Sequence, residues 1–118
     1  MNRKELTQVL LLEQHIPVGQ VGIVALCPVC GLPGGGHYPA LDAPHEWLLK
    51  RNSGLDDAVI FVPINTVLLH AHCHREHGQL KQTTVVCYDY KVSLGYDIPK
   101  WLLGLGLKLS KSLELEEI

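Results

Sequence analysis

Two short Cys/His motifs, far apart in the chain, constrain the fold more than any other feature. Cys27-Pro28-Val29-Cys30-Gly31 puts two thiols two residues apart, with a glycine behind them. His70-Ala71-His72-Cys73 repeats the two-residue gap, and 39 residues separate Cys30 from His70. A Cys-x-x-Cys turn aims both sulfurs at one point, and by itself it serves either a metal or redox chemistry. The second pair separates these readings. Three thiolates and one imidazole form a donor set that tetrahedral zinc accepts and that closes its shell, the mark of a structural site. A redox pair of the thioredoxin kind would stand beside a βαβ pattern, which the sequence lacks. The sequence therefore predicts structural Zn2+ held by Cys27, Cys30, His70 and Cys73.

A chain of 118 residues is most economically one domain, spanning 1–118, with one modest core. Its 47% hydrophobic and 19% charged residues describe a globular chain rather than a disordered one. The net charge of −2 excludes coating of nucleic acid by bulk charge, so any such contact must come from a local basic patch. The N-terminal apolar run Val9 to Leu12 is too short for a signal peptide, and no stretch approaches the ~20 apolar residues of a membrane span. The expectation is a soluble, cytoplasmic protein with no membrane partner.

Along the chain, residues 2–14 have helix-forming composition, with Leu6, Val9, Leu10 and Glu13 at helical spacing. Val21 to Leu26 reads as a strand leading into Cys27. Residues 31–39, dominated by glycine and proline, are expected to be irregular. His45 to Lys50 fits a short strand or a helical turn, and 51–57 reads as a polar loop. Val59 to Val62 and Thr66 to Leu69 are β-branched or aromatic runs. A short helix is expected from Ala71 to about Leu80, ending near Gly78. Thr83 to Val92 reads as a strand with Val85, Cys87 and Asp89 on one face, and Cys87 as a buried thiol. Pro99 suits the start of a helix, and the apolar stretch 98–109 fits either core or a homodimer interface. Residues 110–118 are charged and expected to fray.

The segment Asn65-Thr66-Val67-Leu68-Leu69-His70-Ala71-His72-Cys73-His74 resembles HNH endonucleases. The second half of their motif runs asparagine, three or four apolar residues, a zinc ligand, two residues, another zinc ligand, then histidine. The Cys27/Cys30 knuckle and His45 precede it in the family's order. The resemblance covers a motif core at 27–77 and leaves the flanks 1–26 and 78–118 outside.

This resemblance implies an α+β fold of the ββα-metal, treble-clef-like kind: a strand carrying the first histidine, a long loop, a second strand and a helix carrying the last. It implies a phosphodiester hydrolase acting on DNA, of phage, mobile-element or defence origin, using Mg2+ or Mn2+. By position, His45 corresponds to the general base, Asn65 to the asparagine that braces it, and His74 to a ligand of the catalytic ion. Imidazole has a pKa suited to removing a proton from water near neutral pH. A divalent ion opposite can polarise the phosphoryl oxygen and stabilise the leaving 3′-oxygen.

One position departs from the family. Where many members carry a second metal ligand directly before the base, this chain has Pro44. Glu46, Asp42 and His77 are the available substitutes. A shifted register, with His45 on the metal and Glu46 as base, also stays open. Lys50, Arg51, Arg75 and Lys81 are candidate phosphate contacts, whereas Trp47 and Trp101 read as core, and His72 and His77 as solvent-facing residues of the helix. A non-catalytic zinc module that binds DNA or protein is the competing function, and a zinc metalloprotease is excluded by the lack of His-Glu-x-x-His.

Overall fold

The first helix, α1 (Arg3–Glu13), starts where Asn2 caps it: the Asn2 side chain accepts from the Glu5 backbone N–H at 2.8 Å. Leu6 and Leu10, one turn apart, face the core and are fully buried. In the computed structural model, which describes residues 1–16, 24–35 and 39–118, the remaining elements follow in an α+β order.

The strand β1 (Ala25–Leu26) pairs antiparallel with β2 (Pro33–Gly34), and the Cys27–Cys30 knuckle is the turn between them. This corrects the expectation of irregular structure at Pro33–Gly34, while 36–38 of that stretch lie outside the described residues. Gly31 takes φ +72°, a left-handed conformation that glycine adopts without strain, and its N–H donates to the Cys27 carbonyl. That reversal lets the proline-rich segment return alongside β1. The expected strand from Val21 lies partly outside the described residues.

β3 (His45–Glu46) pairs antiparallel with β4 (Thr66–Val67), with His45 opposite Val67. The long connection holds a 3-10 turn at Arg51–Ser53, α2 (Asp57–Ile60) and a second 3-10 turn at Pro63–Asn65. The β-branched run beginning at Val59 is thus partly helical, since Asp56 caps α2 through the Ala58 N–H and Ile60 is directed into the core. α3 (Ala71–His77) follows, and Gly78 ends it as expected.

The largest correction concerns 83–92, which form a helix, α4 (Lys81–Ser93), instead of a strand. The buried residues are Thr83, Cys87 and Lys91, every fourth position, while Val85 and Asp89 lie outside. The helix cost of β-branched residues is a few tenths of a kcal/mol each, well below what burying one face against a core returns. Lys91 is fully buried and salt-bridged to Glu13 at 3.1 Å, with the Tyr96 hydroxyl also donating to Glu13. Burial lowers the Lys91 pKa, and the Glu13 charge opposes that shift.

α5 (Ile98–Gly104) packs on β5 (Leu107–Leu109), which forms a hairpin with β6 (Leu115–Glu117). The tail therefore pairs instead of fraying, with Leu107, Lys108 and Leu109 opposite Glu117, Glu116 and Leu115. Trp47, Leu49, Ile60, Leu69, Cys87 and Leu102 join the buried face of α1 in one core. Trp101 packs at its edge, as its sequence reading anticipated. No helix among the described residues is long and apolar enough to cross a membrane.

Candidate metal centre and adjoining cleft

The knuckle and the start of α3 bring the two cysteine-bearing motifs together. One ligand atom from each of Cys27, Cys30, His70 and Cys73 lies within 4.8 Å of all the others, so the four residues could hold a metal ion such as zinc. Cys27, Cys73 and His70 are buried, and Cys30 faces solvent. His70 Nε2 is 2.8 Å from the Pro33 carbonyl oxygen. A carbonyl can only accept, so Nε2 carries the proton and leaves Nδ1 free, 3.3 Å from Cys30 Sγ. Gly34 makes room first for Leu41 and then for this imidazole, since a Cβ there would stand 2.5 Å from Leu41 Cδ2 and 3.0 Å from Nε2. Burial, and then the neighbouring thiols, push Cys73 up to about 12. A cation resolves that crowding, because metal ligation requires thiolates and stabilises them.

Gln14 ties the two halves of this centre from behind. It is 1% exposed, donates to the Leu26 and Leu68 carbonyls at 2.7 and 2.8 Å, and accepts from the Leu68 N–H at 2.8 Å. One amide thus joins the residue before Cys27 to the segment that leads from β4 to His70.

A second group of residues meets beside the first. His45, Glu46, Lys50, Arg51, His74 and Gln79 line a cavity of about 320 Å³. The His45 and His74 rings meet edge to face, with centroids 4.7 Å apart. His45 is 2% exposed, and its Nε2 has no hydrogen-bond partner among the described residues. Leaving a buried polar atom unpaired costs ~1–3 kcal/mol, and in native structures such atoms mark functional positions or bound solvent and ions. Burial holds the His45 pKa down to about 4, with the Lys50 and His74 charges adding to the shift and a Gly78 backbone bond opposing it. The ring is therefore neutral at pH 7 and keeps an accepting nitrogen.

Around this pair, Glu46 forms an ion pair with Arg51 at 3.7 Å, and Lys50 donates to the Glu46 carbonyl. Burial lowers the Lys50 pKa, and the Glu46 charge offsets part of the shift. Asp42, just outside, lies 3.0 Å through Oδ2 from His74 Nδ1, and that bond holds its carboxyl below the usual range.

One expected contact differs. Asn65 is fully buried, but its side chain bonds to the backbone of Leu49 and Ile60, not to His45. It fixes the loop carrying Lys50 and Arg51 instead of orienting the ring. Arg75 is exposed, pairs with Glu76 at 3.7 Å and does not line the cavity. His77 faces another groove, with Val29, Leu80 and Val86, and its ring stands 6.3 Å from that of His72. Lys81 lies exposed at the start of α4.

Gly78 and Gln79 are the residues that motif spacing missed. A Cβ at Gly78 would clash with the His74 carbonyl oxygen and crowd His74 Cδ2 at 3.1 Å, with His45 Cε1 at ordinary contact distance, so glycine lets the chain close against the His74 ring. The signal was available: Gly78 follows His74 by four residues, one helical turn. No protein-family model, curated protein or solved structure matches this chain.

Proposed function

We propose that the chain is a divalent-cation-dependent DNA endonuclease of the HNH type. The carrying observation is the His45–His74 pair over one cleft, with a buried nitrogen on His45 that has no partner among the described residues. The chain order of strand, long loop, strand and helix, with His45 on the first strand and His74 on the helix, agrees with a ββα-metal arrangement. The Cys27/Cys30 hairpin beside it agrees with a treble-clef-like support held by structural zinc.

In this reading His45 is the general base. Neutral at pH 7, it accepts a proton from water through a ring nitrogen. His74 and Glu46 line the same cleft and supply one imidazole and one carboxylate oxygen, a donor set suited to Mg2+ or Mn2+. When bound there, the ion supplies Lewis-acid polarisation of the phosphoryl oxygen and charge stabilisation of the leaving oxygen. Lys50 and Arg51 hold the flanking phosphate, and Asn65 keeps their loop rigid through its three backbone bonds. Arg75 takes part only if the DNA reaches the exposed side of α3.

A second reading, a zinc module that binds DNA or protein without cutting, is favoured by Pro44 in place of a ligand and by the Glu46–Arg51 ion pair. Supercoiled-plasmid nicking with Mg2+, Mn2+ or EDTA separates the two. Nicking that requires the ion supports the nuclease. Absence of nicking on every DNA form with either ion favours the module.

A further inference from the structure

We infer that Asp42 is a positioning residue for His74, fixing its tautomer so that Nε2 is the nitrogen offered to a divalent cation. The inference rests on the nuclease reading for the role of that cation, and on geometry for the rest. An ionised carboxylate only accepts, so the 3.0 Å contact requires the proton on His74 Nδ1. With Nδ1 engaged, Nε2 is the one ring nitrogen left for a metal.

The carboxylate is itself held. Its Oδ1 accepts from the Ala43 N–H at 3.0 Å, which directs Oδ2 to the imidazole. The Asp42 N–H donates to the Leu69 carbonyl at 2.7 Å, and Leu41 bridges to His70. Asp42 is thereby anchored to the segment that delivers His70 and α3, so carboxylate and imidazole share one framework. Metal-binding histidines commonly donate their second N–H to a carboxylate or a carbonyl, and losing that partner costs about 10–100-fold in metal affinity. Pro44 adds a reason for this support. With no side-chain ligand directly before His45, more of the ion's binding depends on the orientation of His74.

The test uses the full-length zinc-loaded chain and its Asp42→Ala and Asp42→Asn variants, with zinc content and Tm as controls. Long-range 15N–1H correlations of the His74 ring give the tautomer without any second ion. Mn2+ titration followed by electron paramagnetic resonance gives the affinity, and plasmid nicking gives the activity. The wild type is expected to hold the Nδ1–H tautomer. Asp42→Ala should lose that preference and bind Mn2+ about 10–100-fold more weakly, with nicking partly restored by excess Mn2+. Asp42→Asn, which keeps an acceptor oxygen, should retain the tautomer and part of the affinity.

An Asp42→Ala protein with unchanged tautomer and unchanged Mn2+ affinity overturns the inference while leaving a nicking wild type as a nuclease. A wild type that neither binds Mn2+ nor nicks overturns the nuclease reading. The tautomer then decides alone: its loss in Asp42→Ala upholds the positioning, and its persistence refutes it.

Discussion

His70 and His74 stand one helical turn apart, yet each turns a different nitrogen to the protein. His70 gives Nε2 to a backbone carbonyl, is buried, and offers Nδ1 to three sulfurs. His74 gives Nδ1 to a carboxylate, keeps 31% of its side chain exposed, and has one other histidine and a mixed-charge cleft around it. The first arrangement is closed: its four protein ligands could satisfy a tetrahedral ion and would leave no position for substrate. The second is open, with oxygen and nitrogen donors on one side and solvent on the other. One short helix thus carries two imidazoles in opposite settings, because the partner of each selects which ring nitrogen is free.

The largest expected effect breaks the closed side. One zinc per chain should be measured in freshly purified protein, and a strong chelator should unfold it. Metal binding that links two distant segments contributes on the order of 10 kcal/mol or more to folding. Cys27→Ser should reproduce the loss through circular dichroism and Tm, because Cys27 is fully buried at the knuckle. Retention of native Tm with no zinc present would refute a structural role for the site.

The open side should separate chemistry from scaffold. His45→Ala is expected to lower nicking about 10²–10⁴-fold while zinc content stays at one per chain. Its Tm should fall only modestly, since the cavity left behind is offset by removal of a buried nitrogen with no partner among the described residues. Glu46→Gln settles the register. If Glu46 is a metal ligand, excess Mn2+ should restore much of the rate, whereas a lost base is not restored at any concentration. A His45→Ala protein that nicks at the parental rate would remove His45 from the chemistry.

The same contrast shows what the sequence made legible. The closed site was readable because thiolate and imidazole at a two-residue gap admit few explanations, and all four residues meet. His45, Glu46, Lys50, Arg51 and His74, picked out by motif, do line one cavity, whereas the bonds of Asn65 were not legible because they depend on the path of a long loop. Gln14 could not have been found by pattern: it joins Leu26 and Leu68 from a helix remote in sequence, with no motif to announce it. In α4, the run Thr83-Thr84-Val85-Val86 carries strand propensity, but Thr83, Cys87 and Lys91 give the burial period of a helix. Buried Lys91 hid that period, since a lysine is normally assigned to the solvent face and only its Glu13 partner permits burial.

A smaller effect tests which basic residues belong to the open side. Lys50 and Arg51 line the cleft and Arg75 does not. Each phosphate contact contributes about −0.9 to the slope of log affinity against log salt on duplex DNA. Lys50→Ala with Arg51→Ala should reduce the slope by about two contacts, and Arg75→Ala should leave it unchanged. An effect of Arg75→Ala equal to that of Arg51→Ala would mean that DNA crosses α3 instead of the cleft.

The smallest effect is a pH dependence that isolates His45. Its pKa, lowered from 6.5 to about 4 chiefly by burial, means that the folded chain refuses a proton that the unfolded chain accepts. Above pH 6.5 both states are neutral there, and His45 imposes no penalty. As pH falls from 6.5 toward 4, the unfolded state gains the proton first and stability is lost progressively. At pH 5 the loss is on the order of 1–2 kcal/mol, read as a Tm decrease of several degrees. Acid also weakens thiolate ligation, so the measurement is the difference between wild type and His45→Gln, in which the zinc contribution cancels. The wild type should lose more Tm between pH 7 and pH 5 than the variant. In the nicking reaction, the same shift should remove the acidic limb near pH 6.5 that an ordinary histidine base would give. Parallel Tm curves for the two proteins, or a rate falling with a midpoint near 6.5, would show that His45 titrates as a solvated imidazole and would take away the buried, neutral base from the open side.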